Sequence, residues 1–515
     1  MITPGKNGLY HPRDEKDISA LIKYAIKNNL KVRVRGAAQS VLPAISVDQA
    51  MTIQLDQIRH ISFEDNYQVK VGAGCNLAND PFDPSCTSNK LNGLYRLINK
   101  KGWALPNVPD AAHQTVGGFI STGSSGATLS HSFDDTILSI KLVDGQGDIQ
   151  EFKKTDNPDD TFFGIGSSVG LMGVIYEVTL QCIPAFNIIG SEVTTNAEDA
   201  PFDLFGVSGS DKPGLIDYFS NQEYARTLWW PFQTLHRTIN WKARKMSLSD
   251  YNDQTTGSNL FEPKPYVPVF PKILTDRYSS ELLSATIFGL VTSWPSWLYA
   301  FLDANKINIP KEKLEGIVAL IDAMAPGLYP LLTDFYYPVN TDKNPAQQFW
   351  DYWLGSLPMD TFEFSNPLMN LDYTELWFPI EKAELAIKVL KKDFDKQGEK
   401  ATGFYTLEIL GSMASPFWLS PGYNQKSIRL NFMRFATDAG SPIDFYYQYY
   451  QLFKKYKIPF RLHLGKYLPG KEIPMWAKYI RESYPKMGDF EELRKKMDPH
   501  NLFLTPYWKD YLLLS

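Results

Sequence analysis

The stretch VRVRGAAQSV, Val32 to Val41, decides how the first domain is read. Its valine-rich, alternating start is the pattern of a strand. Arg35, Gly36, Ala37 and Ala38 then strip the backbone almost bare, and Gln39 and Ser40 follow. Small side chains at a strand end let a ligand approach the backbone closely. Before this stretch, DISALIKYAIKNN (Asp17 to Asn29) has helical apolar spacing, with Asp17 as the expected N-cap. After it, strands are expected at Met51 to Leu55 and Val69 to Ala73, and a helix at Leu91 to Lys100. Leu138 to Val143, DGQGD and Ile149 to Phe152 read as a hairpin. Val174 to Ile183 reads as a strand ended by Pro184, and a domain boundary falls near that proline. The alternation reads as a mixed α/β domain.

A second bare region is HQTVGGFISTGSSGATLSHSFDDTI, His113 to Ile137, with four glycines and many hydroxyls. Consecutive open N–H groups can form an anion nest, so two donor-rich loops suit a pyrophosphate; composition alone equally suits ordinary turns. A Rossmann fingerprint is missing. VGAGCNLA puts Leu77 where the third glycine belongs, and FGIGSSVG puts Val169 there. There is no phosphate-binding G-x-x-x-x-G-K-[ST] either. A dinucleotide held by a non-Rossmann domain points to FAD.

At 515 residues the chain is long enough for two or three domains. Its net charge of −5 argues against nucleic acid as the main partner, since phosphate binding needs a basic face. Three cysteines, Cys75, Cys86 and Cys182, give neither a disulfide scaffold nor a zinc site, so a reducing, cytoplasmic setting is expected. MITPGKNGLYHPRDEKD lacks the apolar segment of a signal peptide. The longest apolar run, Ala285 to Leu302, is broken by Pro295 and reads as a buried or lid helix pair, with peripheral membrane contact as the alternative. From about 190 to 345, Pro, Trp and Tyr rise and glycine turns thin out. Further on, Glu381 to Lys396 is an amphipathic helix, Ile428 to Phe435 a strand and Asp489 to Met497 a short helix. No internal repeat is visible.

Three segments carry a resemblance: VRVRGAAQS, LPNVPDAAHQTVGGFISTGSSG (Leu105 to Gly126) and FFGIGSSVGLMGVIYEVTLQCIP (Phe162 to Pro184). They resemble the FAD-binding domain of the vanillyl-alcohol oxidase / p-cresol methylhydroxylase superfamily. RLHLGK (Arg461 to Lys466) resembles the H-W-x-K motif of the sugar-lactone and alditol oxidases, and DPHNLF (Asp498 to Phe503) the family's closing D-P-x-x-x-F. LWWPF (Leu228 to Phe232), TLEIL (Thr406 to Leu410) and IRLN (Ile428 to Asn431) resemble shorter segments of flavoprotein cholesterol oxidases and aldonolactone or alditol oxidases. The resemblance implies an α+β fold: a two-subdomain FAD-binding domain over 1–187, a substrate domain with an antiparallel sheet over 188–460, and a segment over 461–515 that returns to the FAD domain.

The resemblance also implies the site. FAD would be held by Arg35, Gly36, Ala37, Ala38, Gln39 and Ser40; by Thr115, Val116, Gly117, Gly118, Ser121, Thr122, Gly123 and Ser125; by Gly173, Val174 and Ile175; and by His463. Many relatives carry R-G-x-x-H-S, with the histidine bonded to the flavin. Gln39 stands there and cannot form that bond, so non-covalent FAD is expected; His113 and His131 are the only other candidates for attachment. A strand like TLEIL supplies a catalytic glutamate and arginine in the family. Glu408 is the expected base, its pKa raised by burial, but Leu410 stands in the arginine's place. Asn431 is expected to orient the hydroxyl, and Lys466 to stabilise charge at the flavin's N1–C2 edge. Arg35 is read as a loop brace and Asp134-Asp135 as a solvated turn.

The expected activity is oxidation of an alcohol by hydride transfer to flavin N5, with oxygen or another acceptor taking the electrons. Leu410 and the Trp-rich middle point to a sterol-like or other bulky alcohol. The alternatives are an aldonolactone or alditol oxidase, and a degenerate protein that binds FAD or a ligand without turnover.

Overall fold

In the computed structural model the first helix starts earlier than its apolar spacing suggests. Asp14, not Asp17, is the N-cap: its carboxylate accepts the Asp17 amide at 2.8 Å, and the helix runs Glu15–Lys27. Asp17 pairs instead with Arg13. The buried stripe of Ile18, Leu21, Ile22 and Ala25 is the one the spacing predicts. The structure describes residues 3–514 apart from 47–49, 82, 84, 110, 208–209, 233, 255–260, 268–301, 308, 311, 314, 317–328, 358–370, 399–406 and 436–439. The apolar run from Ala285 lies, but for Leu302, outside the described residues. No described helix is long and apolar enough to cross a membrane.

β1 (Val32–Arg35) and β2 (Met51–Gln54) form the only parallel ladder among the described strands. β3 (Ile61–Phe63), β4 (Gln68–Gly72), β6 (Ile137–Val143), β7 (Ile149–Lys153) and β8 (Val174–Gln181) make an antiparallel sheet in the order β3-β4-β8-β6-β7. β5 (Trp103–Ala104) and β9 (Ile183–Pro184) form a small pair of their own. The alternating helices and strands therefore do not build a parallel sheet. The β6–β7 connection shows why. Asp144 accepts the amides of Gln146 and Asp148, each at 2.9 Å, and Gly147 takes φ +84°. That five-residue turn can join only antiparallel neighbours, because a parallel crossover needs a dozen residues or more.

The second sheet has eight strands: β10 (Asn187–Asn196), β11 (Tyr224–Pro231), β12 (His236–Lys245), β13 (Gln347–Tyr352), β14 (Leu371–Pro379), β15 (Leu407–Ser412), β16 (Ser427–Phe435) and β17 (Arg461–Leu462). Their order is β13-β10-β12-β11-β15-β16-β14-β17, with every ladder antiparallel. The helices Ala383–Gln397 and Pro442–Lys455 cover one face. Phe394 of the first meets Trp229, and Tyr449 of the second stacks on Phe432 with centroids 4.2 Å apart. Residues alternate across each strand, so Arg226, Leu228, Glu408, Leu410, Arg429, Asn431, Glu375 and Trp377 share the opposite face.

The end of the chain returns to the first domain. Asp498 accepts the amides of Leu502 and Phe503 at 2.8 and 2.9 Å, and the Leu502 carbonyl accepts the Val32 amide at 2.9 Å. The Gly465 carbonyl accepts the Val41 amide, also at 2.9 Å. The architecture is α+β, with an antiparallel substrate-side sheet, as the resemblance implies.

Candidate active site

A cleft of about 1170 Å³ runs between the two bare loops and the HLGK segment. That figure includes space open to solvent; the lining spans both loops and the HLGK segment. Arg35, Gly36, Ala37, Ala38, Gln39, Ser40, Thr115, Gly117, Gly118, Ser121, Thr122, Gly173, Ile175, His463 and Lys466 all line it. Val116 and Val174 do not: both are packed into the core, as valines alternating with cleft-lining neighbours would be. Gly123 and Ser125 line a second, small polar cavity next door.

The bare backbone has two causes. A Cβ on Gly36 would stand 2.2 Å from Thr115 Oγ1, so the two loops meet at that glycine. Thr115 in turn caps the helix Val116–Thr122 by accepting the Gly118 amide at 3.2 Å. Ala38 takes a left-handed φ of +57°, uncommon for a residue with a Cβ. Loop bracing falls to Arg33 rather than Arg35. The Arg33 guanidinium is buried and donates to the carbonyls of Ala44 and Val169 at 2.7 and 2.8 Å. Arg35 reaches the cleft wall, and its buried Nε finds no partner among the described residues; neither does Gln54 Oε1. Unpartnered donors and acceptors at the wall of an open cleft are what a polar cofactor would satisfy. The donor-rich loops, the glycine contact and these orphan atoms fit FAD.

Gln39 donates to its own loop, Nε2 to the Ala37 carbonyl at 3.3 Å. Its carbonyl accepts Lys466 Nζ at 3.0 Å, and Lys466 also contacts the Tyr373 hydroxyl. His463 is buried, and burial pushes its pKa down to about 4, with Lys466 and Arg429 adding to the effect and Glu375 opposing it. The neutral ring accepts the Gly465 amide at Nδ1, 3.1 Å away, so its proton sits on Nε2, which faces Ser124 Oγ at 3.2 Å. Sequence reasoning missed Ser124, which belongs to the same glycine–serine run as its neighbours. His131 pairs with Glu223 outside the cleft lining.

The sheet face opposite the two helices is buried and brings the catalytic candidates together. Glu408 and Asn431 are cross-strand partners, and Asn431 Nδ2 donates to Glu408 Oε2 at 2.7 Å. Asn431 Oδ1 is buried and has no partner among the described residues. Arg226 Nη1 lies 3.8 Å from Glu408 Oε1. Beside them is a buried carboxylate the sequence did not single out, Glu375. Burial by itself would raise its pKa; Arg429 first, then His463, Lys466 and the Trp377 N–H, outweigh that and hold it below the ordinary range. Arg429 Nη1 is 3.4 Å from Glu375 Oε1, its Nη2 donates to the Gly126 carbonyl at 3.2 Å, and the guanidinium lies over Trp377. Arg429 thus ties the sheet to the second loop.

Asp134 is not in a solvated turn. It is buried beside the small polar cavity and accepts Ser415 Oγ at 2.5 Å, and burial pushes its pKa up to about 7. Asp135 is the solvated member, near Lys154.

Comparison with known proteins agrees with this geometry. An FAD binding domain family matches residues 7–79 and 87–153, and a D-arabinono-1,4-lactone oxidase family matches residues 341–511. L-gulonolactone oxidase of Mus musculus is 21% identical, covering 97% of this chain and 93% of its own length. D-arabinono-1,4-lactone oxidase of Eremothecium gossypii is 24% identical over 46% of this chain, and the match spans 41% of that protein. Among solved structures, cholesterol oxidase from Brevibacterium sterolicum superposes with a TM-score of 0.68 at 14% identity, covering 98% of this chain and 94% of the other. Chitooligosaccharide oxidase superposes at 0.60, also at 14% identity, covering 98% and 93%. At that identity the superpositions speak for the fold. With the two matched families and the cleft, they make this chain an FAD-dependent oxidoreductase, consistent with the vanillyl-alcohol oxidase / p-cresol methylhydroxylase superfamily.

Proposed function

We propose that the chain is an oxidase of aldonolactones or closely related polyhydroxylated substrates. The observation that carries this reading is the polar sheet face, where Glu408, Asn431 and Arg226 converge and Asn431 Oδ1 has no partner among the described residues. A sterol-sized apolar alcohol would leave the Asn431 oxygen unsatisfied, at roughly 1–3 kcal/mol. A hydroxylated ring would satisfy it. The argument for a bulky, less polar alcohol rests on the Trp-rich middle and on the charge missing at Leu410. Arg226 and Arg429 are its partners on the two neighbouring strands, so the face is not short of positive charge. The names of the relatives point the same way.

FAD, when bound, supplies the hydride acceptor and passes the electrons on to oxygen. Gly36 to Ser40 and Thr115 to Thr122 would hold it through backbone N–H groups and hydroxyls. Glu408 would take the substrate's hydroxyl proton, and the bound cofactor would supply the acceptor for the carbon-bound hydride, so that an alcohol carbon becomes a carbonyl. Asn431 fixes the Glu408 carboxylate through Nδ2 and accepts a second substrate hydroxyl at Oδ1. Oxygen takes up two electrons and two protons and leaves as hydrogen peroxide.

The test is anaerobic mixing of the FAD-loaded protein with L-gulono-1,4-lactone, D-arabinono-1,4-lactone and detergent-dispersed cholesterol. A lactone should bleach the flavin's visible band, and admission of air should yield peroxide in step with substrate consumed. Bleaching by cholesterol with none by either lactone would overturn the reading.

A further inference from the structure

Transfer of a proton from a substrate hydroxyl builds negative charge on the oxygen, and a positively charged donor close to the base stabilises it. On β15 the residue two places beyond Glu408, on the same face, is Leu410 and cannot serve. The register of the sheet shows what can. Leu410 pairs with Arg226 on β11 and with Arg429 on β16, so a cross-strand row reads Glu192, Trp241, Arg226, Leu410, Arg429, Trp377. Directly opposed residues stand with Cβ atoms about 4.5–5.5 Å apart on one face, so either guanidinium can reach over the leucine.

The two arginines are not equivalent. Arg429 is neutralised by buried Glu375, clamped to the Gly126 carbonyl and laid over Trp377. Drawing it towards a substrate would break a buried ion pair, which costs about 3–5 kcal/mol. Arg226 lies 3.8 Å from Glu408 of the adjacent row, its charge also reaches buried Glu192 at the end of its own row, and its side chain is 14% exposed against 5% for Arg429. Next to that pair stands Asn431 Oδ1, buried and without a partner among the described residues, which asks for a donor from a ligand.

We propose that Arg226 binds the substrate's reacting oxygen, supplying from a neighbouring strand the positive charge that β15 lacks. Leu410 then acts as an apolar spacer under the guanidinium. The inference rests on the oxidase reading above, and its test separates the two. Arg226→Met, Arg226→Lys and the relocated pair Arg226→Met/Leu410→Arg are purified with FAD, and flavin reduction by the two lactones is followed alongside sulfite binding, read as bleaching without substrate. Arg226→Met should lose about 10- to 100-fold in reduction efficiency, the usual worth of a charge-assisted hydrogen bond, and bind sulfite, an anion, about 10-fold more weakly. The relocated pair should recover most of both losses. Wild-type reduction and sulfite affinity in Arg226→Met would overturn the proposal and leave the lactone reading standing. A wild type that neither lactone reduces would sink the substrate reading, and sulfite would still decide Arg226. No recovery in the relocated pair would mean that Arg226 serves only to hold Glu408, which also overturns the proposal. If Arg226→Met fails to fold, Arg226→Lys carries the test: it keeps the charge beside Glu408 but loses the second donor, and reduction unchanged from wild type would count against a substrate contact.

Discussion

The cofactor cleft and the charged sheet face meet at Ser124 to Gly126, yet they are built on opposite plans. The cleft is made of short contiguous runs, 35–40 and 115–122, whose side chains are small and whose recognition groups are backbone amides and hydroxyls. The sheet face is made of charged side chains on separate strands: Arg226, Glu375, Glu408 and Arg429. Backbone amides suit a fixed cofactor that lies along them. Charges that face one another across a row suit a transient ligand in which charge develops. On the proposed reading, holding and reacting are divided between the two regions, with the HLGK segment and the small serine-lined cavity as the joints.

That division can be attacked from either side. The largest effect belongs to the face. Glu408→Gln keeps the shape and the Asn431 contact, so FAD occupancy should be unchanged while flavin reduction by substrate slows by roughly 10²–10⁴-fold. Stopped-flow reduction checks this, and loss of FAD in step with loss of rate would show that the regions are not separate.

Next in size is the joint at Asp134. Its carboxyl is pushed up to about 7 by burial, against about 3.9 in an unfolded chain. Between about pH 4 and about pH 7 the folded chain keeps a proton that the unfolded chain has released, so stability falls as pH rises through that window. At about 1.4 kcal/mol per pH unit the loss is on the order of 4 kcal/mol above neutrality. Asp134→Asn keeps an acceptor for Ser415 and removes the titration. Its thermal midpoint should exceed that of the wild type at about pH 8 and draw level towards about pH 4; parallel midpoints across that range would show that Asp134 is ionised in the folded chain.

Lys466 is the other joint. It bridges the Gln39 carbonyl of the cleft and the Tyr373 hydroxyl of β14. If its charge acts on the flavin as expected, Lys466→Met should lower the flavin midpoint potential by roughly 30–60 mV, because one charge-assisted hydrogen bond is worth about 1.5–3 kcal/mol and about 30 mV corresponds to about 1.4 kcal/mol. An unchanged potential with weakened FAD retention would make Lys466 a clamp between the regions.

The smallest effect is a qualitative one at the cleft. Gln39 stands in the linking position with its amide turned back to Ala37. Acid precipitation should therefore leave the yellow flavin in the supernatant. Colour retained by the pellet would place a covalent bond elsewhere, with His113 the first residue to examine.

The cleft was legible because its chemistry is local. Bareness at Gly36 to Ala38, hydroxyls at Ser121 and Thr122 and the closing DPHNLF are written in consecutive residues, and each does its work within a turn or two. Even there the reasons were partly tertiary. Gly36 is bare against Thr115 as well as for a ligand, and Arg33, not Arg35, braces the loop. On the face, Glu408 and Asn431 were legible one by one. Their hydrogen bond, the Glu375–Arg429 pair and the arginines flanking Leu410 were not. A strand's period of two assigns residues to a face, but which strand lies beside it, and in which register, is set by distant packing.

By itself, then, the sequence determined that two donor-rich loops occur without a Rossmann fingerprint, that Gln39 stands where the resemblance places the linking histidine, and that Leu410 stands where it places the arginine beside Glu408. Only the tertiary structure decided that the missing charge is flanked on both sides. Residues 226, 410 and 429 are far apart along the chain and have no local interaction that could mark them as neighbours. The antiparallel register of β11, β15 and β16 sets them side by side, and that register depends on burying the other face of the sheet under the helices Ala383–Gln397 and Pro442–Lys455.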